Sequence, residues 1–271
     1  MEEEDVLTSR MAREFTATLS PRLFAGAEGD APAGLHWCLA PAIAPADGLG
    51  EDGHPRRGDF LPPVPLPRRM WAGGALQQHR SLRIGERVLR KSTIADVSVK
   101  QGRSGRMCFV AVDHVYRVDG VAAIEERHDI VYRDAALAAP SPLPSAKTPA
   151  VAPEPAAVPE LHWQLTPGAT LLFRYSALTF NGHRIHYDAA YATGAEGYAG
   201  LVVHGPMQAT WLLNAAATLD GRCPRSFNYR GVSPLIAGHP VDVFAARTAG
   251  GAVSCWTQSD AGVHMKADAA W

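Results

Sequence analysis

Apolar residues recur with a period of two along residues 86–100, 107–118 and 121–133, stretches rich in Val, Ile, Tyr and Phe. Alternation of β-branched and aromatic residues predicts half-buried strands. Asp119-Gly120, between the last two stretches, is a two-residue hairpin signal. Gly102 and Gly105 make residues 101–106 a second turn, so this region predicts an antiparallel three-stranded meander. Farther along, the period changes to that of a helix. Met207, Trp211, Leu212, Ala215 and Leu219 share one face of a helix over residues 206–219. Strand-like runs follow at 225–231, 240–248, 252–258 and 263–267, with a hairpin turn at Gly250-Gly251. Residues 4–19 and 69–78 predict two further helices, and 35–39 and 169–175 two short strands. Residues 25–67 and 181–200 read as irregular, the first rich in Gly, Pro and Ala, the second in His, Gly and Tyr. Each half of the chain thus reads as a helix followed by an antiparallel sheet, an α+β class. No tight repeat links the halves; the faint echo is Pro-Leu-Pro-Arg-Arg-Met-Trp at 65–71 against Gly-Pro-Met-Gln-Ala-Thr-Trp at 205–211.

Composition divides the pattern in two. Residues 136–160 are almost all Ala, Pro, Ser and Val and carry 7 of the 21 prolines. Proline fixes φ and removes an N–H donor, so neither helix nor sheet can run through this stretch. It predicts an extended tether between an N-terminal domain, residues 1–135, and a C-terminal one, residues 161–271. Charge then narrows the partners. Lys and Arg total 26 against 27 Asp and Glu, a net charge of −1. That excludes the broad basic face that nucleic acid or an anionic membrane surface would need. No window holds the ~18 or more uninterrupted apolar residues of a membrane span. The acidic start Met1-Glu2-Glu3-Glu4-Asp5 is unlike a basic targeting segment. Cys38, Cys108, Cys223 and Cys255 are spread singly, without a C-x-x-C, and read as reduced thiols of a cytoplasmic protein.

Distinctive polar residues gather in one window: Arg174, Asn181, His183, Arg184, His186, Tyr187 and Asp188, then His204-Gly205. Three readings stay open. The histidines are loop residues satisfied by backbone groups. His183-x-x-His186 with Asp188 or His204 forms a metal site, although no helical frame holds those ligands on one side. Or the loop performs acid–base chemistry, since a histidine's unperturbed pKa lies near neutrality. Pro206 marks a helix start, and the N–H groups of a first helical turn point outward along its positive end. The Gly205 N–H is therefore placed to polarise a thioester or amide carbonyl.

The segment Tyr175-Ser-Ala-Leu-Thr-Phe-Asn-Gly-His-Arg-Ile-His-Tyr-Asp188, followed by Gly200-Leu-Val-Val-His-Gly-Pro206, resembles the hydratase-2 signature of MaoC-like hot-dog enzymes. Phe60-Leu-Pro-Pro-Val-Pro-Leu-Pro-Arg-Arg-Met-Trp-Ala-Gly-Gly74 is similar to a double hot-dog subgroup, which extends the resemblance over nearly the whole chain. That subgroup includes mesaconyl-C4-CoA (3-methylfumaryl-CoA) hydratases and mitochondrial 3-hydroxyacyl-thioester dehydratases. The resemblance implies a double hot-dog, two central helices each wrapped by an antiparallel β-sheet, with an N-terminal half that lacks the catalytic loop and shapes the acyl or pantetheine tunnel. It implies reversible hydration of an α,β-unsaturated acyl-CoA, with mesaconyl-C4-CoA the first candidate. An (R)-3-hydroxyacyl-CoA or acyl-carrier-protein dehydratase and a non-catalytic acyl-thioester-binding module are the alternatives. No metal and no cofactor beyond the substrate's coenzyme A is implied, and a homodimer is expected.

The family signature also assigns roles. His186 falls on the family's histidine. The family's aspartate, asparagine and proline are replaced by Asn181, His183 and Arg184. Asparagine takes no proton, so an Asp/His dyad is absent. Either His186 does the proton work with Asn181 holding the water, or His183 or Asp188 substitutes. Catalysis is therefore expected from His186, Asn181 and Gly205. Substrate contacts are expected from Arg184, Arg174, His183, Asp188, Tyr187 and His204, with Arg184 or Arg174 pairing with a free carboxylate.

Overall fold

The computed structural model describes residues 1–102, 105–134 and 158–271. The elements run β1 (Glu2–Val6), α1 (Ser9–Leu19), β2 (Arg68–Gln78), β3 (Arg87–Gly102), β4 (Gly105–Val118), β5 (Val121–Arg133), β6 (Leu161–Leu165), α2 (Ala169–Leu178), α3 (Ala189–Gly194), α4 (Gly205–Asp220), β7 (Ser226–Gly231), β8 (Val241–Arg247), β9 (Val253–Ser259) and β10 (Gly262–Ala270). The alternating runs fold as their period dictates. β3, β4 and β5 form the expected meander, turned at Asp119 and Gly120, both of positive φ. The tether expected at 136–160 falls mostly outside the described residues, as do residues 103–104 of the turn at 101–106.

All described strands join one antiparallel sheet in the order β1-β3-β4-β5-β2-β7-β10-β9-β8-β6. From either edge inward the order is the same: β1-β3-β4-β5-β2 in one half, β6-β8-β9-β10-β7 in the other. The chain is thus a double hot-dog whose halves meet at the β2–β7 seam. The sequence echo does not follow this symmetry: residues 68–71 of the first copy begin β2, whereas the second copy lies in α4.

Several expected elements are corrected. Residues 69–78 form β2, not a helix. Gly73 and Gly74, which weaken a helix, lie between β5 and β7, where a Cβ would collide with the Tyr229 and Arg127 carbonyls. Residues 2–6 pair with β3, setting Glu2 against Lys91 and Glu3 against Arg90. The helix begins only at Ser9, capped by the Thr8 hydroxyl accepting from the Met11 N–H at 3.1 Å. Residues 169–175 lie in α2, which buries Leu172, Tyr175 and Ser176 on one side. A short apolar run does not distinguish helix from strand. Residues 35–38 make a buried 3₁₀ turn rather than a strand.

Only one long central helix is present among the described residues. α4 spans 16 residues, buries eleven of them, and is wrapped by β8, β9 and β10. In the N-terminal half, Phe15 and Leu19 of α1 join Leu35, Trp37 and Leu39 over the sheet, beside Tyr116 and Val118 of β4. Val64 and Leu66 cover Cys108, Val110 and Val112. Residues 40–67 carry seven prolines and four glycines, which exclude the second central helix that the resemblance implied.

Candidate active site

The loop that carries Asn181 and His186 starts where α2 ends. Phe180 takes a left-handed φ of 50°, and the Asn181 side-chain oxygen accepts from the His183 N–H at 3.0 Å. A 3₁₀ turn at Arg184–His186 then brings Ile185 and His186 inward. The loop is strapped to the chain entering α4: Val202 N–H donates to the Ile185 carbonyl at 3.0 Å, and the His186 ring returns a bond to the Val202 carbonyl at 2.7 Å. A carbonyl only accepts, so Nδ1 of His186 carries the hydrogen and Nε2 keeps its lone pair. The ring stacks on His204 at 3.6 Å, and His204 Nε2 meets the Ser176 hydroxyl at 2.8 Å.

Beside this loop lies a cavity of about 310 Å³, walled by both halves of the chain. Asn181, His183, His186, Gly205 and Gln208 come from the C-terminal half; His54, Arg69, Trp71 and His128 come from the N-terminal half. A wider cavity of about 690 Å³ adjoins it and shares His54, Arg69, His128, Asn181 and Pro206. Exposed Phe173, Phe180 and Tyr187 line that outer space. Gly205 opens α4 against Trp71, where a Cβ would come within 2.5 Å of the indole. Trp71 stacks on Tyr229 at 4.7 Å. Tyr229 in turn donates at 2.8 Å to the buried Glu126 carboxylate, which also accepts from Trp37 Nε1 at 2.7 Å. The wall facing Gly205 therefore has little freedom to retreat.

Burial disfavours the charged form of an imidazole. It pulls the His186 pKa down to about 4, against a smaller upward pull from the Val202 carbonyl. Burial first, and neighbouring histidines second, hold His204 and His183 far below the ordinary histidine range. These rings are neutral at pH 7, and the sign of their effect on stability follows. Each folded-state pKa lies below the unfolded value near 6.5, so between the two the unfolded chain binds more protons. Stability is expected to fall as pH drops from 6.5 toward 4, by up to about 1.4 kcal/mol per pH unit for each of the three rings. Urea midpoints measured across this range check it: a shallower slope in His204→Gln is expected, and a flat profile in the parent chain would contradict it.

The structure brings Asn181, His183, His186 and Gly205 to the inner cavity; His204 stands behind His186, and Tyr187 lines only the outer space. Three expected roles are corrected. Arg184 does not face the cavity, because its Nη2 pairs with Asp188 at 2.7 Å and its guanidinium lies over Tyr191 at 4.3 Å. Asp188 is consumed by that pair and by capping α3, where it accepts from the Tyr191 N–H at 3.0 Å. Arg174, exposed on α2, lines neither cavity. Sequence reasoning missed Asp52, His54, Arg69 and His128. Only Arg69 lay in a segment that carries the family resemblance, between Phe60 and Gly74. The described residues contain one cluster with possible metal donors, Asp52, His54 and His183, whose donor atoms lie within 4.8 Å of one another. There His54 Nδ1 is already engaged by Asp52 at 3.0 Å.

The family model for hydroxyacyl-thioester dehydratase type 2 matches residues 34–237. The chain belongs to that family. It is 41% identical over 247 residues to a mesaconyl-C4-CoA hydratase of Chloroflexus aurantiacus, covering 89% of this chain and 84% of that one. It is 27% identical over 242 residues to the mitochondrial hydroxyacyl-thioester dehydratase type 2 of Schizosaccharomyces pombe, covering 79% and 77%. A solved MaoC-like dehydratase from Phytophthora capsici shares the fold at a TM-score of 0.68 and 14% identity, covering 100% of this chain and 95% of that one. As a hydroxyacyl-thioester dehydratase type 2 family member, the chain is a hydro-lyase of the hydratase/dehydratase kind. Among the described residues, no helix is long and apolar enough to cross a membrane.

Proposed function

We propose that this hydro-lyase adds water to the double bond of an unsaturated dicarboxylic half-thioester, with mesaconyl-C4-CoA as the best-matched substrate. Arg69 is the observation that carries this reading. Among the residues lining the inner cavity it is the single Arg or Lys, and no Asp or Glu stands with it. Burial, the largest influence, pulls its pKa down; nearby Arg57 acts the same way, while Tyr132 and Asp52 pull it up. No described carboxylate lies within the 4.0 Å of an ion pair with Arg69, unlike Arg68 with Glu196 at 2.9 Å. A guanidinium held in a cavity on these terms favours an incoming anion, which it can grip with two parallel hydrogen bonds. In mesaconyl-C4-CoA the free carboxylate sits on the β-carbon, beside the position that water attacks. A monocarboxylic enoyl group would offer Arg69 no ion pair in the cavity.

His186 Nε2 and the Asn181 amide hold the attacking water over the β-carbon. As the C–O bond forms, negative charge moves to the thioester oxygen. There the Gly205 N–H and the positive end of α4 receive it. Pantetheine occupies the outer space past Phe173, Phe180 and Tyr187. The same groups run the reverse reaction, dehydrating a 3-hydroxyacyl thioester. Adding water transfers no electrons, so coenzyme A enters only as part of the substrate. The unpaired cysteines, three of them buried, support a reducing, cytoplasmic setting. The test is the full chain with mesaconyl-C4-CoA. Loss of enoyl absorbance without release of free thiol is expected. Thiol release would make the protein a thioesterase, and no change on any enoyl-CoA would make it a binding module.

A further inference from the structure

We propose that His54, backed by Asp52, is a catalytic residue: the N-terminal half supplies the proton carrier that Asn181 cannot be. The inference rests on the hydration reading above, though not on which acyl group is hydrated. Addition of water needs one proton moved from the water oxygen to the α-carbon. In the catalytic loop an amide stands where the family signature has a carboxylate. His186 can accept a hydrogen bond from the water, but its own N–H faces a neutral carbonyl, so an imidazolium there has no counter-charge.

His54 has the arrangement that His186 lacks. Its Nδ1 lies 3.0 Å from an Asp52 oxygen, and its backbone N–H donates at 3.0 Å to the other. Asp52 stays ionised: burial pushes its pKa up, but the hydrogen bonds it accepts from His54 and its attraction to His54 and His183 outweigh this and hold it below the usual carboxylate range. The carboxylate fixes the tautomer, leaving Nε2 as the base, and stabilises the imidazolium once a proton arrives. His54 lines both cavities together with Asn181, and its ring lies 4.2 Å from that of His183, itself 5.5 Å from His186.

Its position is built by the contact of two loops. Gly53, at φ 85°, and Gly182 face each other so closely that a Cβ on Gly182 would lie 2.6 Å from the Gly53 carbonyl oxygen. A Cβ on Gly53 would likewise run into the Gly182 carbonyl. The Arg184 N–H donates to the Asp52 carbonyl at 2.9 Å, and Arg184 Nη1 to the Glu51 carbonyl at 3.1 Å. Arg184 therefore clasps the N-terminal loop onto the catalytic loop. Glycine at both touching positions lets the backbones meet and delivers His54 beside Asn181.

The proton balance closes with water alone. One O–H bond of water breaks as its oxygen bonds to the β-carbon; the proton passes to His54 Nε2, and the π electrons move onto the thioester oxygen. The imidazolium, held by Asp52, returns that proton to the α-carbon as the carbonyl reforms. One C–O and one C–H bond are made, and the π bond is lost.

The test uses full-length His54→Gln and Asp52→Asn, on whichever of mesaconyl-C4-CoA or crotonyl-CoA the parent enzyme turns over. A kcat lower by about 10²–10⁴ with KM near the parent value is expected for His54→Gln. Asp52→Asn, the positioning change, is expected to follow it, because an amide donating to Nδ1 reverses the tautomer. The second readout is exchange of the hydrated product's α-hydrogen in D₂O. Exchange lost in His54→Gln but kept in His186→Ala supports the proposal. Near-parent kcat in His54→Gln, exchange that survives it, or activity removed by a chelator and restored by zinc would overturn it. An inactive parent enzyme on every enoyl-CoA would instead count against hydration itself, and the proposal would fall with it.

Discussion

Alanine in place of His186 is expected to lower kcat by about 10²–10⁴, the range for a group that manages a proton or the water carrying it. The expectation follows from where the ring's hydrogens go. Nδ1–H is spent on the Val202 carbonyl, leaving Nε2 as the acceptor for water. The ring has little freedom to turn, because it stacks on His204, which Ser176 holds in turn. Neighbouring histidines are poorly placed to take over: His183 stands edge-on at 5.5 Å, and His204 is fully buried behind the ring. Steady-state turnover with an unfolding scan as control checks the claim. Near-parent kcat in a folded His186→Ala chain would remove the loop from the chemistry.

Alanine at Gly205 is expected to be nearly as damaging despite adding one methyl group. Its Cβ would meet the Trp71 ring at 2.5 and 3.1 Å. That ring is pinned by Tyr229 and, through it, by Glu126. Either the indole shifts, opening the seam, or the first turn of α4 moves away. Overpacking of this kind costs about 1–3 kcal/mol. Displacing the N–H proposed to receive the thioester oxygen adds a loss on the order of 10²–10³ in kcat. Trp71→Leu should relieve the collision, so the Gly205→Ala/Trp71→Leu pair is expected to recover stability relative to Gly205→Ala alone. A Gly205→Ala enzyme with parent kcat would show that this turn does not touch the substrate.

The legible parts of the fold were those written locally. β3, β4 and β5 follow from alternation and Asp119-Gly120, and α4 from apolar spacing behind Pro206. β2 was not legible, because Gly73 and Gly74 serve a seam formed with strands distant in sequence, and glycine reads only as a weak helix former. The candidate site divides the same way. Asn181, His183, His186 and Gly205 stand within one short stretch whose pattern resembles a family signature. His54, backed by Asp52, and Arg69 reach the same cavity from far away along the chain, His54 from a Gly/Pro-rich segment whose spacing carries no period and Arg69 from the start of β2. Arg184 carries a local signal of its own. Asp188, four residues on, is the natural partner for an arginine in a turn, and Arg184 pairs with it at 2.7 Å. Arg69, the single Arg or Lys lining the inner cavity, comes instead from a part of the chain expected only to shape a tunnel.

The measurement that tests the account most directly is the ratio of kcat/KM for mesaconyl-C4-CoA to that for crotonyl-CoA, taken on the parent enzyme and on Arg69→Met. A bidentate charged contact removed from a buried site is worth about 2–5 kcal/mol, or roughly 30- to several-thousand-fold. The account predicts a parent ratio well above one that collapses by about that factor in Arg69→Met, with crotonyl-CoA turnover little changed. An equal loss on both substrates, or an unchanged ratio, would contradict it.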